Sequence, residues 1–127
     1  MQRRRFTTSA AWSIPAAILG QFLLAGLSLF HDAQLWAAHG VLGSALALPI
    51  GMIAVMAFTD GHASHLRFWA LAQVTIYITQ VGLIVVGQNL ASGILQALHA
   101  FNGGLLLLTS LVLAQKSGLL PQESRPR

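Results

Sequence analysis

Residues 68–115 read FWALAQVTIYITQVGLIVVGQNLASGILQALHAFNGGLLLLTSLVLAQ, the longest stretch of the chain without an Asp, Glu, Lys or Arg. A transmembrane helix needs about 20 residues, because each residue adds about 1.5 Å along the helix axis. As one helix, these 48 residues would be about 72 Å long, more than twice the thickness of a bilayer core. The stretch must therefore turn back, and the polar residues Gly87, Gln88 and Asn89 are predicted to form the turn.

Two further charge-free stretches, residues 6–31 and 33–59, are each long enough for one membrane-spanning helix. The sequence therefore predicts an all-α membrane protein with a single domain, a bundle of four transmembrane helices. Helices are predicted at residues 11–30, 36–58, 68–86 and 91–114, and Pro49 is expected to kink the second one. Residues 115–127 are predicted to form a short basic cytoplasmic tail.

The amino-acid composition supports this class. Of the 127 residues, 55% are hydrophobic and 8% are charged, whereas a soluble domain has roughly 25% charged residues. Such a chain has too little polar surface to cover a water-soluble globule. Cysteine is absent, which excludes disulfide bonds, thiolate metal sites and cysteine nucleophiles.

The basic residues define the topology. All seven Lys and Arg residues lie at the N-terminus, in the loop between helices 2 and 3, or in the tail. Four spans put these three places on one side of the membrane, so the positive-inside rule predicts that both termini are cytoplasmic. The expected location is a bacterial inner membrane. Arginines beside a membrane helix serve topology and anionic lipid, so no binding of nucleic acid is expected.

The two halves of the chain resemble each other. Residues 35–48, LWAAHGVLGSALAL, align with residues 95–108, LQALHAFNGGLLLL, at a constant offset of 60. His39 coincides with His99, and Gln21 corresponds to Gln80 after a one-residue gap. A tandem repeat of helix pairs is predicted, in which helices 2 and 4 run parallel about an axis along the membrane normal. The two histidines would then face each other across the bundle, in the outer half of the bilayer.

The paired histidines predict a cofactor site. An ionisable residue within a span is a functional candidate, and two facing imidazoles are the ligand set of a six-coordinate haem iron. Small residues around them would leave a slot for a porphyrin ring, with two glycines on the histidine face and two neighbours that widen it: Gly43, Gly103, Gly40 and Gly104. Gln21 and Gln80 are expected to hydrogen-bond each other, with a bond to a ligand or a quinone carbonyl as the alternative.

Three short stretches carry a resemblance to a known family: QFLLAGLSLF at residues 21–30, HGVLG at residues 39–43 and LHAFNG at residues 98–103. With one histidine at the outer end of helix 2 and another in the outer part of helix 4, the chain resembles half of a haem A synthase. It also resembles a group of small bacterial four-helix membrane proteins. The resemblance implies that His39 and His99 are axial haem ligands. Haem A synthases carry a glutamate upstream of a ligating histidine, whereas the spans of this chain contain no acidic residue.

The expected function is that of a small haem b protein with bis-histidine ligation, which transfers electrons or handles haem. One alternative is a cofactor-free accessory or assembly subunit of a larger membrane complex, in which the histidines only hydrogen-bond neighbouring helices. Another is a pigment-binding subunit with histidine-ligated (bacterio)chlorophyll. No nucleophile, base and orienting group can be assembled, so catalysis is not expected. The expected partners are the lipid bilayer, a redox partner or larger complex, and other copies of the chain.

Overall fold

The computed structural model describes residues 2–118, with side chains from Thr7 onward. Of the described residues, 91% are helical. Within the described residues, four segments are long and apolar enough to cross a membrane: Thr7–Phe30, Leu35–Thr59, Gly61–Asn89 and Gly93–Ser117. The predicted all-α fold with four transmembrane helices is confirmed. The protein is therefore a multi-pass membrane protein.

The helices form a closed ring. We label them α1 (Gln2–Phe30), α2 (Leu35–Ala45), α3 (Ala47–Thr59), α4 (Arg67–Asn89) and α5 (Gly93–Ser117). A short 3-10 helix, Gly61–Leu66, connects α3 to α4. The chain segment formed by α2 and α3 packs between α1 and α4, and α5 packs between the same two helices on the other side. Among the described residues, α2 and α5 do not pack directly on each other, so they occupy opposite corners of the bundle.

The second span is interrupted in its middle. The sequence predicts one helix at residues 36–58, whereas α2 ends at Ala45 and α3 begins at Ala47. Pro49 has no N–H to donate to the carbonyl of Ala45, so the regular hydrogen-bond ladder lacks one bond just there. The interruption does not reverse the chain, because Leu46 keeps a right-handed helical backbone with φ −59° and ψ −23°.

The turn between α4 and α5 comes later than predicted. The predicted turn at Gly87–Asn89 is helical, because α4 continues to Asn89. The chain reverses at residues 90–92 instead, where Ala91 has a positive φ of 49° and the side chain of Ser92 caps α5. Gly87 serves helix packing, since a Cβ atom there would lie 3.1 Å from the Cβ of Leu95.

The remaining helix ends also differ from the predicted ones. Helix α1 already begins at Gln2, and α5 runs from Gly93 to Ser117, so the first three residues of the predicted tail are helical. Gly118 follows the helix, and residues 119–127 of that tail lie outside the described residues. Hydropathy detects the part of a helix that contacts lipid, whereas the backbone hydrogen bonds continue beyond it.

The core is narrow and the outer surface is apolar. Ile14, Ile53, Leu66 and Leu113 are among the largest fully buried side chains. Many large apolar side chains are exposed on all helices, as expected for helices whose outer faces contact lipid instead of water. The bundle therefore presents its apolar outer surface to a lipid bilayer.

Candidate functional site

His39 and His99, both half-buried, face each other between α2 and α5. The centroids of the two imidazole rings are 6.5 Å apart, and their planes make an angle of 64°. The rings come from α2 and α5, the helices at opposite corners, so they approach each other across the interior. His39 is the fifth residue of α2 and His99 the seventh of α5, which puts both at the same end of the bundle.

A glutamine on the preceding helix orients each histidine. The ring nitrogen Nδ1 of His39 lies 3.1 Å from the backbone carbonyl oxygen of Gln21. In the second half of the chain, Nδ1 of His99 lies 2.9 Å from the backbone carbonyl oxygen of Gln80. A carbonyl oxygen accepts, so each Nδ1 carries the proton and donates it. The tautomer therefore leaves Nε2 as the acceptor atom of each ring.

The two glutamine side chains contact the histidine sites and not each other. The side chain of Gln21 donates to the carbonyl oxygen of His39 at 2.9 Å. The side-chain nitrogen of Gln80 lies 3.3 Å from Nε2 of His99, and its oxygen accepts from Asn102 at 2.8 Å. The expectation that Gln21 and Gln80 hydrogen-bond each other is therefore wrong. Each glutamine holds its own histidine because the two lie on packed neighbouring helices.

The four glycines fall into two groups. A Cβ atom at Gly43 would lie 3.5 Å from the side-chain nitrogen of Gln21, and one at Gly103 would lie 3.3 Å from that of Gln80. Gly103 makes room for the amide of Gln80, whereas a Cβ atom at Gly43 would be in ordinary contact with the amide of Gln21. A Cβ atom at Gly40 or Gly104 would meet nothing within 4 Å, so open space lies beside these two.

The two helix pairs use equivalent residues for equivalent contacts. In both pairs a glutamine carbonyl binds the histidine, and the glycine four residues later faces the same glutamine side chain. The pairs differ at Nε2. His99 accepts from Gln80 there, whereas no hydrogen bond to Nε2 of His39 occurs among the described residues. Nε2 of His39 therefore remains available as an acceptor.

Three other side chains belong to the site. Asn102 is among the polar residues that the sequence places near the outer face as possible donors to haem propionates, whereas no sequence signal assigns Trp36 or Tyr77 to the site. Trp36 packs edge-on against His39 with ring centroids 5.3 Å apart. Asn102 also donates to the carbonyl oxygen of Ile76 at 3.0 Å, which fixes the amide that orients Gln80. The hydroxyl of Tyr77 donates to the carbonyl oxygen of Gly43 at 2.9 Å. Asn102 falls one turn after His99, which is the sequence signal that points to it.

The histidine pair can supply two ligands to a metal, but not a complete protein cage. Within residues 2–118, no group of three or more His, Asp or Glu side chains is placed to hold a metal ion. Two neutral imidazole nitrogens suffice for an ion whose other ligands come from a planar macrocycle. The site thus fits the axial positions of a tetrapyrrole better than a bare ion such as zinc, which requires four ligands in a structural site.

The sequence profile of a family of unknown function, DUF6220, matches residues 21–87, just over half of the chain. The chain belongs to this family. The match begins at Gln21 and includes His39, and it ends before His99. No curated protein and no solved structure gives a significant match.

Proposed function

We propose that this DUF6220 protein binds one haem b between His39 and His99 and works as a small membrane cytochrome in electron transfer or haem handling. The observation that carries the proposal is the 6.5 Å separation of two imidazole rings that approach from opposite corners of the bundle. The resemblance to half of a haem A synthase points to the same two residues as axial ligands.

The ring separation suits a shared metal ion. A bond of about 2 Å from each imidazole nitrogen to the metal, plus about 1 Å to each ring centre, adds up to roughly 6 Å. The rings are 6.5 Å apart, so ligation requires a change in ring orientation but only a small change in ring separation. The Nδ1 contacts to backbone carbonyls supply the second-shell hydrogen bonds that ligating histidines usually have. Bound haem would supply a one-electron redox couple.

Two side chains must move before a haem can occupy the site. The side-chain amide of Gln80 donates a hydrogen bond to Nε2 of His99. The side-chain amides of Gln21 and Gln80 also lie next to Gly43 and Gly103, respectively. Glutamine has three rotatable side-chain bonds, so both amides can turn away without a backbone change. Gly104 also borders open space, whereas Gly40 is exposed on the outer surface of α2. The residues present therefore fit the group, with the glutamines as the part that adapts.

The expected orientation puts the histidine pair near the outer face of a bacterial inner membrane. Arg67 begins α4, and Lys116 lies in the last turn of α5, both at the end of the bundle opposite the histidines. Under the positive-inside rule this basic end is cytoplasmic, together with both termini. Electrons would then be exchanged with a redox partner near the outer surface.

The test is haem content in matched histidine variants. We expect the full-length protein, purified from cells supplied with haem, to contain one haem per chain by pyridine haemochrome assay. His39→Ala and His99→Ala each remove one axial ligand and should abolish a six-coordinate spectrum. His31→Ala is the control, because this exposed histidine lies in the loop outside the site. Colourless wild-type protein would refute haem binding, and an extracted chlorophyll would instead support the pigment-binding alternative.

A second candidate is a cofactor-free accessory subunit of a larger membrane complex. It is favoured by the closed hydrogen-bond network in which Asn102, Gln80 and His99 satisfy one another without a ligand. For this candidate, His99→Ala should lower stability but leave the absorption spectrum featureless and association with other membrane proteins unchanged. The haem assay and co-purification together distinguish the two candidates.

A further inference from the structure

Helix α2, which carries His39, is the least buried helix around the site. None of its 11 residues, Leu35–Ala45, is buried. Each of the other four helices has buried side chains in its described part. Helix α2 packs on α1 and joins α3, whereas its backbone makes no close approach to that of α4 or α5 and only side chains connect it to them. Little packing energy therefore holds it against the second half of the bundle.

The C-terminal end of α2 can act as a hinge. The helix ladder is interrupted at Leu46, and Pro49 leaves the carbonyl of Ala45 without its usual donor. Interruptions of this kind are sites where helices bend. A small rotation at Leu46 would tilt α2, while α3 stays packed on α4.

The hydroxyl of Tyr77 connects α2 to the other half of the bundle. It donates to the carbonyl oxygen of Gly43 at 2.9 Å and approaches that of Ser44 at 3.5 Å. In the described part of the chain, no other side chain forms a hydrogen bond between α2 and either α4 or α5. On its other side, α2 is held to α1 by the two bonds between Gln21 and His39.

We propose that α2 is a hinged flap, that it swings on α1 away from α4 to admit the ligand of the histidine pair from the bilayer, and that Tyr77 is the positioning residue that latches it. The identity of that ligand as haem rests on the function proposed above, whereas the hinge and the latch do not. Closing the flap returns His39 to its position opposite His99. A macrocycle that partitions into the bilayer can enter through the gap between α2 and α4 without passing through bulk water.

Labels on α2 and α4 test the flap without any cofactor. Cysteine is absent from the chain, so Val41→Cys and Ile78→Cys introduce two specific spin-label sites on exposed positions of α2 and α4. Tyr77→Phe keeps the ring and removes the hydroxyl. We expect it to raise the population of the longer-distance conformer about fivefold, which corresponds to one hydrogen bond of about 1 kcal/mol.

Two controls make this result specific. Thr79→Val removes a hydroxyl from the same helix that bonds only within α4, to the carbonyl oxygen of Thr75. It should leave the distance distribution unchanged. A label pair at Val55 and Leu71, on exposed positions of α3 and α4, should report no change in Tyr77→Phe. An unchanged 41–78 distance in Tyr77→Phe would overturn the latch.

The rate of haem release provides a second test of the latch. In protein loaded with haem, Tyr77→Phe should release it to apomyoglobin about fivefold faster than wild type and Thr79→Val, because the flap opens more often. If the distances change but no variant binds haem, the latch stands and the haem proposal fails. If haem binds but neither distance nor release rate changes in Tyr77→Phe, the haem proposal stands and the latch fails.

Discussion

Replacing Gln73 by Leu should stabilise the protein. Gln73 lies in α4 with 1% of its surface exposed, and neither its side-chain nitrogen nor its side-chain oxygen has a hydrogen-bond partner among the residues that the structure describes. Burying an unpaired amide costs about 1–3 kcal/mol on protein mutational scales. Leucine has a similar length and no polar atom, so Gln73→Leu should raise the free energy of unfolding by roughly that amount. The repeat-equivalent residue in α1, Ile14, is fully buried and apolar, which indicates that such a position accepts an aliphatic side chain.

Thermal unfolding in micelles or nanodiscs measures this effect. A gain of about 1–3 kcal/mol should appear as a rise of several degrees in Tm for a chain of this size. Gln88→Leu is the matched control, because Gln88 lies on the same helix but is exposed, and it should gain nothing comparable. If Gln73→Leu instead lowered Tm, the amide would have a partner such as an internal water, and the reasoning from its unpaired atoms would be refuted.

Two glycine pairs provide further predictions. Gly87→Ala should destabilise the protein by about 1–3 kcal/mol, because its Cβ would lie 3.1 Å from that of Leu95. In contrast, the Cβ of Gly82→Ala would meet nothing within 4 Å, so this substitution should stabilise α4 by roughly 0.5–1 kcal/mol. Chemical denaturation of both variants checks the difference, and equal effects would contradict it. Gly103→Ala, whose Cβ would lie 3.3 Å from a side-chain amide of the histidine network, should lower Tm and weaken haem retention, unlike Gly104→Ala beside open space. Retention that falls equally in both would argue against the network.

Much of the architecture was accessible from the sequence for one physical reason. Lipid contact forbids charge, so the charge-free lengths gave the number of spans, and 48 residues without charge required a turn. The meeting of His39 and His99 followed from the offset of 60, because equivalent positions in two parallel spans share a depth and a face. Both inferences depend on spacing alone.

What the sequence left open concerns which atoms fill space. The absence of a side chain at Gly43 and Gly103 is visible in the sequence, but the glutamine amides that occupy those spaces are not. Gly87 looked like part of a turn, whereas it allows α4 and α5 to approach closely. Pro49 indicated a disturbance in the second span, but the loose packing of α2 depends on the ring order of the helices.

The central claim is that two imidazole nitrogens share one haem iron, and low-temperature electron paramagnetic resonance of the oxidised full-length protein tests it most directly. The account predicts the signal of a low-spin ferric haem with two imidazole ligands, lost in both His39→Ala and His99→Ala. A high-spin signal in the wild type, or a low-spin signal that survives either substitution, would contradict it.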